Sequence, residues 1–419
     1  MNYDISYIRS QFPALSMKVN GYPAAFLDGP GGTQVPQRVI DAMVNYLIYA
    51  NANIEGFFKT SVDSDELMLE SRKALADFLG CSWQEIAFGD NSTTLNFKLA
   101  LALGRDLKKG DQVLITQIDH EANRGPWESL SEKGIEVREV SVDIDTCTID
   151  MEDFQAKLTE KTKVAAFTYA SNAVGTISDV QRMIRMAHDV GAITVVDAVH
   201  YALHGPIDVK AIDTDFLLCS AYKFFGPHIG VLYGKKSIFD RVRTYKVRPQ
   251  YDTIPDKIET GTLNHEGMVG AMAAVEFIAD IGEKFGKSYE YGGDNPSKRR
   301  KNLLAGMLSF EDYEIPLALH LINELKSLDK VNVYGPPIGH PRTSTVSFTV
   351  KGTHSKQIAK SLGEKGLFVW DGDFFATRLV ERLGLVDQGG LVRVGLAPYN
   401  TIEEIDRLII EVKKIVKEV

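Results

Sequence analysis

The chain has 419 residues, 44% of them hydrophobic and 25% charged, with a net charge of −9 from 47 basic and 56 acidic side chains. These are globular proportions at a length that supplies a sizeable core, and the acidic balance disfavours non-specific binding to nucleic acid or to an anionic membrane. Three widely spaced cysteines, Cys81, Cys147 and Cys219, form no CxxC pair, which argues against a disulfide framework or zinc ribbon and for a reducing compartment.

The opening stretch "MNYDISYIRSQFPALSM" lacks the apolar core of a secretion signal. No run reaches the ~18 apolar residues of a membrane span. The expectation is a cytoplasmic protein with no membrane partner. From about residue 85, short apolar runs alternate with helical patterns. "EIAFG" precedes "TTLNFKLALALGR", "DQVLIT" precedes "EANRGPWESLSEKG", and "EVREVSV" precedes "MEDFQAKL". "KVAAFTYA" precedes "DVQRMIRMAHDVG", and "AITVVDAV", "DFLLCSA" and "IGVLYG" follow. Unbroken apolar runs between amphipathic helices predict a mostly parallel sheet covered on both faces, an α/β fold. Such sheets bind ligands at the carboxyl ends of their strands.

After about residue 270 the pattern loosens. The stretch "EYGGDNPSKRRKN" is polar and turn-rich, and "SFEDYEIPLALHLINELKSL" reads as a helix. "STVSFTV", "SKQIAKSLGEKG", "LFVWDGD", "LVRVGL" and a closing helix predict a second, smaller α/β domain. The division expected is an N-terminal segment over 1–20, a large domain over 21–270 and a small domain over 271–419, with the N-terminal segment able to pack on the small domain.

Two motifs carry little weight. "GEKFGKS" at 282–288 resembles a phosphate loop, but its glycine spacing is one short and no strand precedes it. "HYALH" spaces His200 and His204 four apart near Asp197, as zinc ligands on a helix would be, but lacks the HExxH glutamate. A metal-dependent hydrolase is therefore the remote alternative, and no metal is expected.

The strand exits are more telling. They end in Asp119-His120, Ser171-Asn172, Asp197 with His200, and Ser220 with Lys223, while "NSTT" places Asn91, Ser92 and Thr93 at a helix start. Each has a plain alternative: a cap for Asp197 and for "NSTT", a solvated loop for His120, a turn for Asn172, a snorkelling stem for Lys223. Together they converge on one face of one sheet. A hydroxyl-rich helix start binds phosphate. A lysine fenced by Tyr222, Phe224 and Phe225 loses solvation, so its neutral amine becomes a nucleophile for a carbonyl. An aspartate on a neighbouring strand keeps a pyridine nitrogen protonated. Phosphate, aldehyde and pyridine nitrogen in one ligand describe pyridoxal 5′-phosphate.

With "DHEAN", "SNAVGT", "VVDAVH", "CSAYKFFGP", "ETGTLN" and "VRVGLAPYNT" in this order, the chain resembles the class V aminotransferases, the fold-type-I branch that contains the cysteine desulfurases. The resemblance covers nearly the whole chain. It implies that Lys223 forms the Schiff base, Asp197 pairs with the pyridine nitrogen and His120 stacks on the ring. His200 stands where the family usually has a glutamine near the phenolic oxygen, and Tyr222 where it commonly has a histidine. Asn91, Ser92 and Thr93 fall in the phosphate-binding turn, with Ser220 adding a hydroxyl. Thr262 matches a threonine that reaches the phosphate of a neighbouring subunit, which implies a homodimer with shared active sites. Arg393 matches the clamp on the substrate α-carboxylate, with Asn172 near it or near the cofactor.

The resemblance breaks at "GLFVWDGDFFATRL". Trp370 stands at the family's arginine position and Phe375 at or near the desulfurase cysteine. Trp370, Phe374 and Phe375 are expected as pocket walls, with Asp371 and Asp373 available to a cationic group. Cys219 is expected to pack in its strand. The expected function is a PLP-dependent enzyme acting on a small α-amino acid without a persulfide cysteine. A C–S β-elimination lyase comes first, with an aminotransferase, an amino acid epimerase and a cofactor-binding protein without turnover as alternatives.

Overall fold

A computed structural model describes residues 3–286 and 296–418. Its large sheet has seven strands: β1 (Ile86–Gly89), β2 (Gln112–Thr116), β3 (Glu136–Val140), β4 (Thr162–Thr168), β5 (Ile193–Asp197), β6 (Phe216–Ser220) and β7 (Gly230–Gly234). Their order is β1-β7-β6-β5-β4-β2-β3. The pairings from β6 to β3 are parallel, and β7 runs antiparallel to both β6 and β1. These are the strands the apolar runs predict.

Both faces are covered, and the two-residue period of a strand shows how. In β6, Phe216 and Leu218 join one buried cluster while Leu217 and Cys219 join another. Val195 and Val196 of β5 divide in the same way. Cys219 is thus a core side chain, and burial pushes its thiol well above its ordinary pKa.

The second sheet consists of β8 (Val331–Tyr334), β9 (Thr345–Val350), β10 (Trp370–Gly372) and β11 (Leu391–Gly395), in the order β8-β9-β11-β10 and all antiparallel. Helices Ser355–Glu364 and Ile402–Glu418 contribute Ile358, Leu362, Leu408 and Val412 to its buried cluster.

Between β7 and β8 in the chain come two long helices, His265–Phe285 and Lys298–Lys326, and the second contributes to the cores of both sheets. Residue 270, the expected domain boundary, falls inside the first of them, and Met268, Val275 and Phe277 belong to the large-sheet core. The second begins at Lys298 with Ser297 as its N-cap, so the "KRRKN" end of the turn-rich stretch is helical. The two pack backbone to backbone: a Cβ on Gly282 would lie 1.8 Å from the Asn302 carbonyl oxygen. The first part of "EYGGDNPSKRRKN" and the end of "GEKFGKS" lie outside the described residues; the latter stretch, through Gly286, is the end of a helix rather than a phosphate loop. The N-terminal segment touches both domains. Phe12 joins the large-sheet core, Tyr3 stacks on Tyr313 at 4.3 Å, and Arg9 pairs with Glu404 at 2.9 Å. Among the described residues no helix is long and apolar enough to cross a membrane.

Candidate active site

The carboxyl ends of β4, β5 and β6 open into a cavity of about 630 Å³, and the small domain supplies its far wall. Lys223 lies in the short helical turn after β6, and its Nζ donates to the Pro30 carbonyl. Burial lowers the amine's pKa to about 7, reinforced by the Arg393 charge and opposed by Asp197 and Asp28. The expected fence of three rings is a fence of one. Tyr222 has its ring centre 4.7 Å from Nζ. Phe224 and Phe225 are fully buried and face the core, Phe224 on Phe78 and Phe225 on Phe12, Phe277 and Phe310. Their role is to anchor the turn, because two rings of this size gain more from the core than from an amine.

Asp197 ends β5, and the Val199 N–H donates to its Oδ1 at 2.9 Å. Burial raises this carboxyl to about 6, opposed by that N–H and by the Lys223 charge. His120 accepts the Ala122 N–H on Nδ1 at 3.0 Å, which leaves Nε2 to carry the proton of the neutral ring. Burial, then Lys223 and Arg393, lower it to about 4. Ser92 and Thr93 line the cavity at the start of helix Ser92–Leu103. Two residues expected beside them stand one layer back. Asn91 caps the helix by accepting the Thr94 N–H at 2.8 Å, and the fully buried Ser220 accepts the Ser92 N–H at 3.3 Å. Both hold the turn rather than line the cavity.

His200 lines the cavity, but its Nε2 lies 3.1 Å from Thr343 Oγ1 and 3.0 Å from Thr345 Oγ1. His204 meets Glu314 at 2.9 Å. The two histidines are committed to different partners, and among the described residues no three His, Cys, Asp or Glu side chains come together as a metal site. Burial holds His200 well below its ordinary pKa, helped by His204.

Arg393, from β11, is buried and faces the cavity. Its Nη1 donates to the Asn172 carbonyl at 3.1 Å, and its Nε has no partner. Burial lowers the guanidinium to about 9, offset by Asp28 and Tyr222. Asn172 lines the cavity, yet its side-chain amide donates to the Phe374 carbonyl at 2.9 Å, so its donor is spent on the loop. Residues paired across an antiparallel ladder share a face. Trp370 pairs with Arg393 and shares the cavity face, whereas Asp371 pairs with Val392, which packs in the small-domain core. Asp371 also lines the cavity, at a strand position whose ladder partner faces the small-domain core. Asp373 is also occupied, accepting from the Phe375 N–H at 3.0 Å and the Thr377 hydroxyl at 2.7 Å. Thr262 lies on an exposed turn outside this cavity.

The sequence reading missed the loop Asp28–Thr33. The Thr33 N–H donates to the Tyr222 carbonyl at 3.0 Å, and the Phe225 N–H donates to Thr33 Oγ1 at 2.8 Å. This clips the loop to the lysine turn. Burial raises the Asp28 carboxyl to about 6, opposed by Arg393 and Lys223, and its Oδ1 is buried without a partner. A Cβ on Gly395 would lie 1.8 Å from Pro30 Cδ, so β11 and the loop meet only because that position is glycine. The run "DGPGG" was the available signal.

The donor set fits pyridoxal 5′-phosphate: hydroxyls at a helix start and on Tyr222 for the phosphate, Asp197 for the ring nitrogen, His120 at the ring, and a desolvated amine on Lys223. Fold and site together define a fold-type-I PLP-dependent enzyme that acts on amino acids. The chain belongs to the aminotransferase class V family, whose model, "Aminotransferase class-V", matches residues 25–291 and 303–408. It is 30% identical over 435 residues to a cysteine desulfurase of Haloferax volcanii, covering 97% of this chain and 95% of that protein. It is 33% identical over 430 residues to the aminotransferase-like protein FGM3 of Gibberella zeae, covering 99% of each. An apo cysteine desulfurase from Thermococcus onnurineus NA1 superposes with a TM-score of 0.86 at 28% identity, over 99% of this chain and 98% of that one.

Proposed function

We propose that this enzyme is a C–S β-elimination lyase rather than a persulfide-forming desulfurase. The observation that carries the reading is that none of Cys81, Cys147 and Cys219 lines the cavity, while Phe375 occupies the loop facing His120. Pyridoxal 5′-phosphate, when bound, supplies an electron sink that acidifies the Cα–H of the amino acid. Lys223 accepts that proton, since its burial favours the neutral amine. Asp197 holds the proton on the ring nitrogen. Arg393 receives the α-carboxylate, which its unpartnered Nε favours. Tyr222, Trp370 and Phe374 keep water from the reacting atoms. The electron pair freed at Cα would expel the Cβ sulfur as a thiolate, to which Lys223 would return the proton it took, so that a thiol leaves with no cavity cysteine needed as sulfur acceptor.

Supplying cysteine and its S-conjugates without a keto acid tests the reading. Pyruvate and ammonia support elimination, and strict dependence on a keto acid assigns transamination instead. Borohydride treatment should fix the cofactor to Lys223.

The same reading makes the enzyme a homodimer in which Thr262 serves the partner's site. Helix Gln37–Tyr49 exposes Ile40, Val44, Leu47 and Ile48 at helical spacing, and Phe57 beyond it is fully exposed. A contiguous apolar stripe of this kind supports burial against a second copy. Sedimentation of the wild type and of Leu47→Asp should give dimer and monomer; a monomeric wild type refutes it.

A further inference from the structure

We propose that the mouth of the cavity selects amino acids whose side chain ends in an uncharged apolar or aromatic group. This rests on the reading of the site as one for an amino acid on pyridoxal 5′-phosphate, and it holds whichever bond is then broken. Three large aromatic side chains line the same cavity as Lys223 and Arg393, and all three are open to solvent: Phe97 is 40% exposed, Trp370 52% and Phe375 68%. They come from helix Ser92–Leu103, strand β10 and the loop after it. A lone exposed ring is ordinary. Three around one opening form an apolar surface continuous with the reactive groups, as a side-chain pocket requires.

The backbone supports a role for these rings. Phe374 and Phe375 have φ of 55° and 56°, the left-handed region, which costs about 1–2 kcal/mol for each residue with a Cβ. Two successive aromatics stay there because the loop is tied down. The Glu121 N–H donates to the Phe375 carbonyl at 2.6 Å, and the Ala376 N–H donates to the Asp373 carbonyl at 2.8 Å, besides the Asn172 and Asp373 side-chain bonds. Glycine would relieve the strain, so its absence is consistent with a use for the rings. The ring of Phe374 is spent on Arg393. That of Phe375 stands 5.6 Å from His120 and is otherwise held toward the opening. Glu121 and Asp373 border the same opening. Their charge disfavours a substrate with a terminal carboxylate.

Titrating the holoenzyme with S-benzyl-, S-methyl- and S-carboxymethyl-L-cysteine, read by cofactor absorbance, tests the proposal. S-benzylcysteine should bind at least roughly tenfold more tightly than S-methylcysteine, and S-carboxymethylcysteine most weakly. Phe375→Ala and Phe97→Ala, both at exposed positions, should weaken S-benzylcysteine binding the most and bring the benzyl-to-methyl ratio toward about 1. Equal binding of all three, preference for the carboxymethyl compound, or an unchanged ratio in both variants overturns the proposal. Absorbance unmoved by every amino acid overturns both this proposal and the reading on which it rests. The expected order of binding without pyruvate formation supports the proposal and overturns only the lyase assignment.

Discussion

The Arg393 guanidinium carbon lies 4.2 Å from the centre of the Phe374 ring, and Asn172 joins the two. The Asn172 carbonyl accepts from Arg393, and its side-chain amide donates to the Phe374 carbonyl. A buried guanidinium stacked on a ring has one face closed and its plane fixed. A carboxylate must then meet it edge-on, in the bidentate direction.

Phe374→Leu removes the stack and leaves the charge. We expect KM for amino acid substrates to rise about tenfold, the equivalent of about 1–2 kcal/mol. The absorbance of the bound cofactor should stay as in the wild type. Loss of the cofactor with the ring would contradict this division of labour.

The Lys223 amine gives a pH dependence with a definite sign. Its folded pKa, about 7 in the cofactor-free protein, lies below the ordinary lysine value of 10.5. Between these two values the unfolded chain binds a proton that the folded chain does not, so stability from this group grows with pH across that window and is least below 7. Cofactor-free Lys223→Met should therefore melt higher than the cofactor-free wild type at pH 6, with the gap closing toward pH 10. A gap that widens with pH would show that the amine is not depressed.

Glu259, at the head of "ETGTLN", ties that segment to the large domain. It takes two hydrogen bonds from Arg72, at 2.7 Å each, and one from the Phe88 N–H at 2.7 Å. Both side chains of the pair are largely buried. Glu259→Ala leaves Arg72 charged and unpaired, at an expected cost of about 3–5 kcal/mol. Thermal or urea denaturation measures it; a loss under 1 kcal/mol, about the worth of a surface pair, would mean that the arginine reaches water instead.

Gly395→Ala drives a methyl group into the Pro30 ring. Overpacking of this kind costs about 1–3 kcal/mol. Because the loop must move, Lys223 loses its carbonyl acceptor, and we expect weaker amino acid binding together with a lower Tm. A crystal structure of the variant with the Asp28–Thr33 loop unmoved would count against this coupling.

Most strands of the large sheet were legible because a strand buried on both faces reads as an unbroken apolar run, while the half-exposed edge strand β3, "EVREV", alternates instead. Lys223, Asp197 and His120 stand out because each follows such a run, Arg393 stands out only through the family resemblance, and all four line one cavity. Other features depend on contacts distant in sequence. Whether Phe224 turns to the amine or to the core depends on Phe78, and the face that Asp371 takes depends on its pairing with Val392. The Asp28–Thr33 loop has no periodicity to read, and its course is set by contacts distant in sequence, the approach of Gly395 and the Thr33 bonds to the lysine turn. Helix His265–Phe285 was obscured by Gly267, Gly270 and Gly282, residues of low helix propensity. Two of these small positions meet close neighbours, Gly270 at Met43 and Gly282 at the next helix.

Arg393 sits in the middle of the four-stranded sheet, on a strand encoded near the end of the chain, while Lys223 and Asp197 belong to a sheet synthesised well before it. During vectorial synthesis the strands that carry the cofactor cradle emerge first. The core beneath them nevertheless includes Leu391, Ala397 and Tyr399, and the Tyr399 ring lies 6.4 Å from that of Phe225 in the lysine turn. A nascent chain that ends before β11 therefore lacks both Arg393 and part of the packing under Lys223, so the two halves of the site mature together.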